Sequence, residues 1–447
     1  MVQRGLEYQI EITDLTHTGA GVGRIDDLAV FVPGALPGEL ALAKITEVKK
    51  RYAHGELISI EKPSSHRIEP PCPVYETCGG CQLQHLSYGG QLAWKRDMVQ
   101  NTLRRIGGLD VPVEPIIGME SPIHYRNKVQ VPVGRQGGEL AIGCYARGSH
   151  QIVDCHRCLI QDETNNKIIA AIRDLIEKYK IEVYDERHHR GDLRHIVART
   201  IEDQAQVVLV TRQREVPRLQ ELAAELGGMV PEVKGVGQNI NPDVTNVIMG
   251  PKTFHLWGEE HLHISFGSLK LRVSPQAFLQ VNWEQMKVLY DQARKSAGLT
   301  GKEIIVDAYC GIGTIALYIA SDAKHVYGIE EVPEAIADAQ YNARLNQIDA
   351  TFICGLVEEE LPALVKEGPI DQLILDPPRK GCHPQVIETI KEVAIPRLIY
   401  VSCNPATLAR DLGLLKDDYR VEAVQPVDMF PHTAHVECVT LMSRVEK

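Results

Sequence analysis

Three short stretches in the carboxyl-terminal half carry side chains capable of covalent chemistry. "RLIYVSCNPATLARD" runs an apolar segment into Cys403 and halts the backbone at Asn404-Pro405. "LILDPPRKG" ends another apolar segment at Asp376, and "MFPHTAHVECV" places Glu437 at the head of a third. A strand-end cysteine is often small apolar filling, and it can also be a metal ligand or a nucleophile. The neighbouring carboxylates favour the nucleophile. A thiolate beside a carboxylate base and a methyl donor fits carbon-5 methylation of a pyrimidine. The thiolate adds to carbon 6, the resulting enolate takes the methyl group, and a base removes the carbon-5 proton so that the thiolate leaves. That job takes one cysteine and one general base, Cys403 and Glu437.

The methyl donor has its own candidate site. "EIIVDAYCGIGTIALYIA" reads as a strand, a tight turn at Gly311 and Gly313, and a helix, and the next strand, "HVYGIE", ends at Glu330. Glycines let a ligand approach the backbone, and a carboxylate about 20 residues on can bind both ribose hydroxyls. The third glycine of a dinucleotide fingerprint is missing, so an adenosine ligand without pyrophosphate, S-adenosylmethionine, fits best. Exocyclic-amine methyltransferases follow a related Asp-Pro-Pro loop with a stacking aromatic residue. Arg379 stands there instead.

These residues need a scaffold. From about residue 271 strands and helices alternate at βα spacing, which predicts a doubly wound sheet that binds ligands at its strand carboxyl ends. Residues 1–61 alternate apolar and polar positions between Gly and Pro, the pattern of a five-stranded barrel. Residues 62–270 read as a central α+β region, in which a helix near 91–108 ends at Gly107-Gly108 and can pack on the catalytic domain. The catalytic domain is expected over 271–447. Hydrophobic residues make up 44% of the 447 and charged residues 24%, an ordinary globular composition. No apolar run reaches the roughly 20 residues of a membrane span and no signal-peptide core is present, so a cytoplasmic monomer is expected, off the membrane. The net charge of −11 does not exclude nucleic acid, because residues 1–107 are balanced at 12 Lys+Arg and 12 Asp+Glu. "RHHRGDLRH" reads equally as a phosphate-contacting edge and as a solvated charged turn.

Eleven cysteines in such a chain argue for chemistry rather than disulfides. "CPVYETCGGC" holds Cys72, Cys78 and Cys81, and "IVDCHRC" adds Cys155 and Cys158. Four thiolates can bind zinc or a [4Fe–4S] cluster, and the residues alone leave both open. The spacing differs from that of radical S-adenosylmethionine enzymes. Cys144, Cys310, Cys354, Cys382 and Cys438 read as structural.

"FLQVN", "DAYCGIGT", "LDPPRKG", "YVSCNPATLARD" and "MFPHTAHVE" together resemble the signature blocks of the RNA 5-methyluridine methyltransferase family. The likeness extends to residues 1–61, which resemble its TRAM domain, an RNA-binding barrel, and is weakest between about 160 and 270. It implies an RNA uracil carbon-5 methyltransferase with a Rossmann-like α/β catalytic domain and a flipped-out target base, with Cys403 as nucleophile and Glu437 as base. It implies that Gln280, Tyr309, Gly311, Gly313, Glu330 and Asp376 serve S-adenosylmethionine or the uracil, and that Arg126 and Phe278 touch RNA. It also favours a [4Fe–4S] cluster on Cys72, Cys78, Cys81 and Cys158, with Cys155 as the competing fourth ligand. TRAM plus a cysteine cluster points to 23S ribosomal RNA, with transfer RNA as the alternative and a non-catalytic RNA-binding protein as the rival from another class. One departure stands out. Where the family often has Asp or Asn for the adenine amine, this chain has Leu356, with Glu358 nearby.

Overall fold

The computed structural model describes residues 2–445. The chain opens with a closed five-stranded barrel over Glu7–Leu15, Gly21–Ile25, Leu28–Val32, Leu40–Val48 and Tyr52–Lys62. Its alternating apolar positions turn inward, so Ile10, Ile12, Val30, Val32 and Ile45 make a core of their own. A helix, Tyr88–Thr102, continues into a wider turn over Leu103–Gly107 and stops at Gly108, whose φ of 62° is easy for glycine. Val99 and Leu103 bury in the core of the carboxyl-terminal sheet.

A six-stranded sheet follows, covered by the helices Glu163–Tyr179 and Leu219–Met229. The catalytic boundary expected at 270 falls inside a hairpin of Leu262–Phe266 and Leu269–Val273. Leu262, Ile264, Leu271 and Val273 join the core of the carboxyl-terminal sheet, so the hairpin packs with that layer. The alternation expected from 271 onward has no signal that could announce a preceding antiparallel pair.

The carboxyl-terminal sheet has seven strands in the spatial order Ala350–Cys354, His325–Glu330, Ile304–Ala308, Gln372–Leu375, Arg397–Ser402, Glu437–Arg444 and Tyr419–Val427. The first five are parallel, Glu437–Arg444 runs antiparallel beside them, and the edge strand Tyr419–Val427 runs antiparallel to Glu437–Arg444. Chain order reverses between Ile304–Ala308 and Gln372–Leu375, which opens a crevice at their carboxyl ends. Near-continuous apolar strands bury both faces, one under each of two side-chain clusters. Among the described residues no helix is long and apolar enough to cross a membrane.

Candidate active site

The crevice opens into a cavity of about 770 Å³, lined by Phe278, Gln280, Tyr309, Gly311, Glu330, Asp376, Arg379, Cys403 and Glu437, among others. Arg126 lines it from the central region. Gly313 does not. It lies behind the turn at φ 80°, where an added Cβ would stand 2.9 Å from the Phe352 ring, so its task is to let the turn close on the sheet.

Local chemistry explains the turn. Tyr309 has φ 68°, which costs a non-glycine residue energy and is held by the surrounding sheet. Gly311, at φ 54°, has open space where a Cβ would be, so a ligand can lie against its backbone. Glu330 accepts from the Gly311 amide at 3.1 Å and the Val332 amide at 3.0 Å, which fixes its carboxylate and leaves lone pairs free. Leu356, more than a third exposed, and Glu358 form the far wall at the start of the helix Val357–Glu367. A carboxylate, a bare glycine backbone and an apolar wall suit a ribose and an adenine.

The reactive residues sit at adjacent strand ends. Arg397–Ser402 delivers Cys403, and Asn404 caps the following helix through the Ala406 amide, with Pro405 in its first turn. The Asn404 side chain donates to the Arg379 carbonyl at 2.9 Å, tying the Asp-Pro-Pro-Arg loop to the cysteine turn. Arg379 in turn hydrogen-bonds the Cys403 thiol. Burial, Glu437 and Asp376 push that thiol up to about 11, with Arg379 opposing them. Burial raises Asp376 to about 7. Burial and Asp376 push Glu437 well above the usual carboxylate range, again against Arg379. Glu437 is 2% exposed, and its Oε2 has no hydrogen-bond partner. A desolvated carboxylate of this kind can exchange a proton with a group placed beside it.

Phe278 is 68% exposed at the rim, whereas Gln280 is buried and held through its carbonyl by the Asn127 side chain. Cys72, Cys78, Cys81, Cys155 and Cys158 line the same cavity. So does Cys144, read above as structural, which hydrogen-bonds Cys78. No local spacing could reveal it, since the bridge of Cys78 with Ala146 and the Gly79 amide bond to the Tyr145 carbonyl bring it there. Among the described residues no group of three or more His, Cys, Asp or Glu is placed to hold a metal ion. The Arg187–Arg190 turn is exposed, with His188 paired to Asp185.

Comparison with known proteins agrees with this geometry. Residues 87–445 match the family described as tRNA (Uracil-5-)-methyltransferase, and residues 2–58 match the TRAM domain. An uncharacterized RNA methyltransferase of Halalkalibacterium halodurans is 50% identical over 440 residues, covering 97% of this chain and 96% of that protein. One from Bacillus cereus is 48% identical, covering 100% and 98%. Among solved structures, the Pyrococcus abyssi tRNA (uracil-54, C5)-methyltransferase in complex with S-adenosyl-L-homocysteine superposes with a TM-score of 0.79 at 27% identity, covering 97% of this chain and 100% of that one. The chain belongs to the tRNA (uracil-5-)-methyltransferase family and is an S-adenosylmethionine-dependent RNA methyltransferase with an amino-terminal TRAM barrel.

Proposed function

We propose that the protein methylates carbon 5 of a specific uridine in 23S ribosomal RNA. The observation that carries the reaction is the meeting of Cys403, Arg379, Asp376 and Glu437 at one cavity wall. The Cys403 sulfur bonds carbon 6 of a flipped-out uracil and drives its electrons toward carbon 5. Asp376 and Arg379 face the polar edge of the ring. Glu437 takes the carbon-5 proton, the carbon 5–carbon 6 double bond re-forms, and the carbon–sulfur bond breaks to release the thiolate. S-adenosylmethionine supplies an electrophilic methyl group, and Gln280, Tyr309, Gly311 and Glu330 hold and orient it, with Gly313 shaping the turn. Arg126 and Phe278 receive the flanking RNA.

We infer further that Cys72, Cys78, Cys81 and Cys158 hold a [4Fe–4S] cluster. Its support is a set of soft donors on one wall, where Cys72, Cys81 and Cys158 pack in one cluster. Cys155 is the competing fourth ligand.

The ribosomal assignment rests on the TRAM barrel together with the cysteines. The same reaction on a transfer-RNA uridine has separate support in the likeness to the Pyrococcus abyssi enzyme, whose substrate is a transfer-RNA uridine. Mapping 5-methyluridine in both RNA classes, with and without this protein, separates the two. Loss of a 23S site is expected. Loss confined to transfer RNA would replace the ribosomal reading.

A further inference from the structure

Glu437 has no hydrogen-bond partner at its Oε2, and its backbone is held by pairing with Val427 and, one residue on, by Cys438 with Ser402. It opens the strand Glu437–Arg444 directly after a loop over residues 428–436. That loop is gripped by residues more than 300 positions earlier in the chain. Lys95, fully buried, donates to Asp428 at 2.6 Å and to the Phe430 carbonyl at 2.9 Å. Gln91, also fully buried, accepts from the His432 amide at 2.8 Å and donates to the His432 ring at 3.2 Å. The amides of Gln82 and Leu83 both donate to the His432 carbonyl, at 3.0 and 2.9 Å. The Gln82 side chain accepts from the Ala434 amide at 3.4 Å, and Tyr125 donates to the Pro431 carbonyl at 2.9 Å. His432 sits at φ 65°, a backbone state that needs such support. From within its own sheet layer the loop receives one side-chain bond from outside itself, Asn282 to the Met429 carbonyl at 3.1 Å.

We infer that Gln82, Gln91 and Lys95 are positioning residues for the proton-removal step. They hold residues 428–434 so that the Glu437 carboxylate meets carbon 5 after methyl transfer. The inference rests on the proposed uracil chemistry and assigns one step of it to this clamp. Cys403 follows the neighbouring strand, whose Ser402 pairs with Cys438, but its own turn is anchored by Asn404 and the Arg379 loop, outside the clamp, so loosening the clamp should affect adduct formation less than proton removal. In the affected step the carbon-5–hydrogen pair becomes the ring double bond, the carbon–sulfur pair returns to Cys403, and the proton ends on Glu437. A carboxylate displaced by about 1 Å loses on the order of 100-fold in such a transfer.

The test is a single-turnover reaction of the full chain with substrate RNA and methyl-labelled S-adenosylmethionine. It reads the ratio of denaturation-stable, methylated protein–RNA adduct to released 5-methyluridine. Glu437→Gln is the reference and should trap the adduct. Gln91→Leu should raise the ratio at least tenfold over the unmodified chain, with the affinity for S-adenosylmethionine unchanged. Should Gln91→Leu fail to fold, Gln82→Ala, at a partly buried position and milder, should raise it at least twofold. An unchanged ratio, or equal slowing of adduct formation and release, overturns the clamp while Glu437→Gln still traps. If Glu437→Gln yields neither adduct nor methylated RNA, the uracil reading itself falls, and the clamp with it.

Discussion

The Cys403 thiol offers a direct test of the site's electrostatics. Raised to about 11, it is ionised to about one part in a thousand at pH 8, whereas an ordinary thiol near 8.5 is about one quarter ionised. Only the thiolate is alkylated, so Cys403 should react with iodoacetamide about 200-fold more slowly than a free thiol at that pH. Arg379 is the cation that opposes the rise. A neighbouring opposite charge moves a pKa by about 1–3 units, and Arg379 is solvent-exposed, so the lower end applies. Arg379→Gln should therefore slow alkylation about tenfold more. The assay follows the Cys403 peptide by mass spectrometry between pH 7 and 10. The logarithm of the rate should climb with unit slope through pH 10, with the variant on a parallel line below. A plateau under pH 9, or two superposed lines, would refute the reasoning. The agreement of both would place activation of the thiol in the RNA complex.

Other outcomes follow from individual contacts. Glu330→Ala removes the acceptor of two backbone amides and the proposed ribose partner, and calorimetry should show S-adenosylmethionine binding weakened by about 2–3 kcal/mol. Gly313→Ala sets a methyl against Phe352 at positive φ, and denaturant titration should show a loss of about 1–3 kcal/mol. Lys95→Met strands the buried Asp428 and should cost about 3–5 kcal/mol, much of it recovered in Lys95→Met with Asp428→Leu. Asp376 is raised in the fold, so the folded state holds a proton that the unfolded chain releases near pH 4. Stability contributed by that proton is present below about pH 4 and is lost as pH rises toward 7. Asp376→Asn should thus raise the melting temperature more at pH 8 than at pH 4.

The placement of the candidate residues was legible where it depends on local pattern. Strand, glycine turn and Glu330 follow βα spacing, and Cys403 with Asp376 end strands whose apolar runs are unmistakable. The barrel announces itself through alternation, and Gly107-Gly108 marks a helix end. What stayed hidden depends on pairings distant in sequence. Cys144 reaches the cysteine wall through the bridge of Cys78 with Ala146, and the grip of Gln91 on His432 spans 341 positions. Lys95 lies in a stretch that reads as an ordinary amphipathic helix, yet it is fully buried against Asp428. The hairpin over 262–273 was lost for a similar reason, since short alternating strands carry no label for the layer they join.

The central claim is that Cys403 attacks the target base. Incubating the protein with S-adenosylmethionine and substrate RNA carrying 5-fluorouridine blocks proton removal and should leave the RNA covalently attached. Peptide mass spectrometry should find it on Cys403, and Cys403→Ala should abolish the attachment while S-adenosylmethionine binding persists. Attachment at another cysteine, or methyl transfer to uridine by Cys403→Ala, would contradict the account.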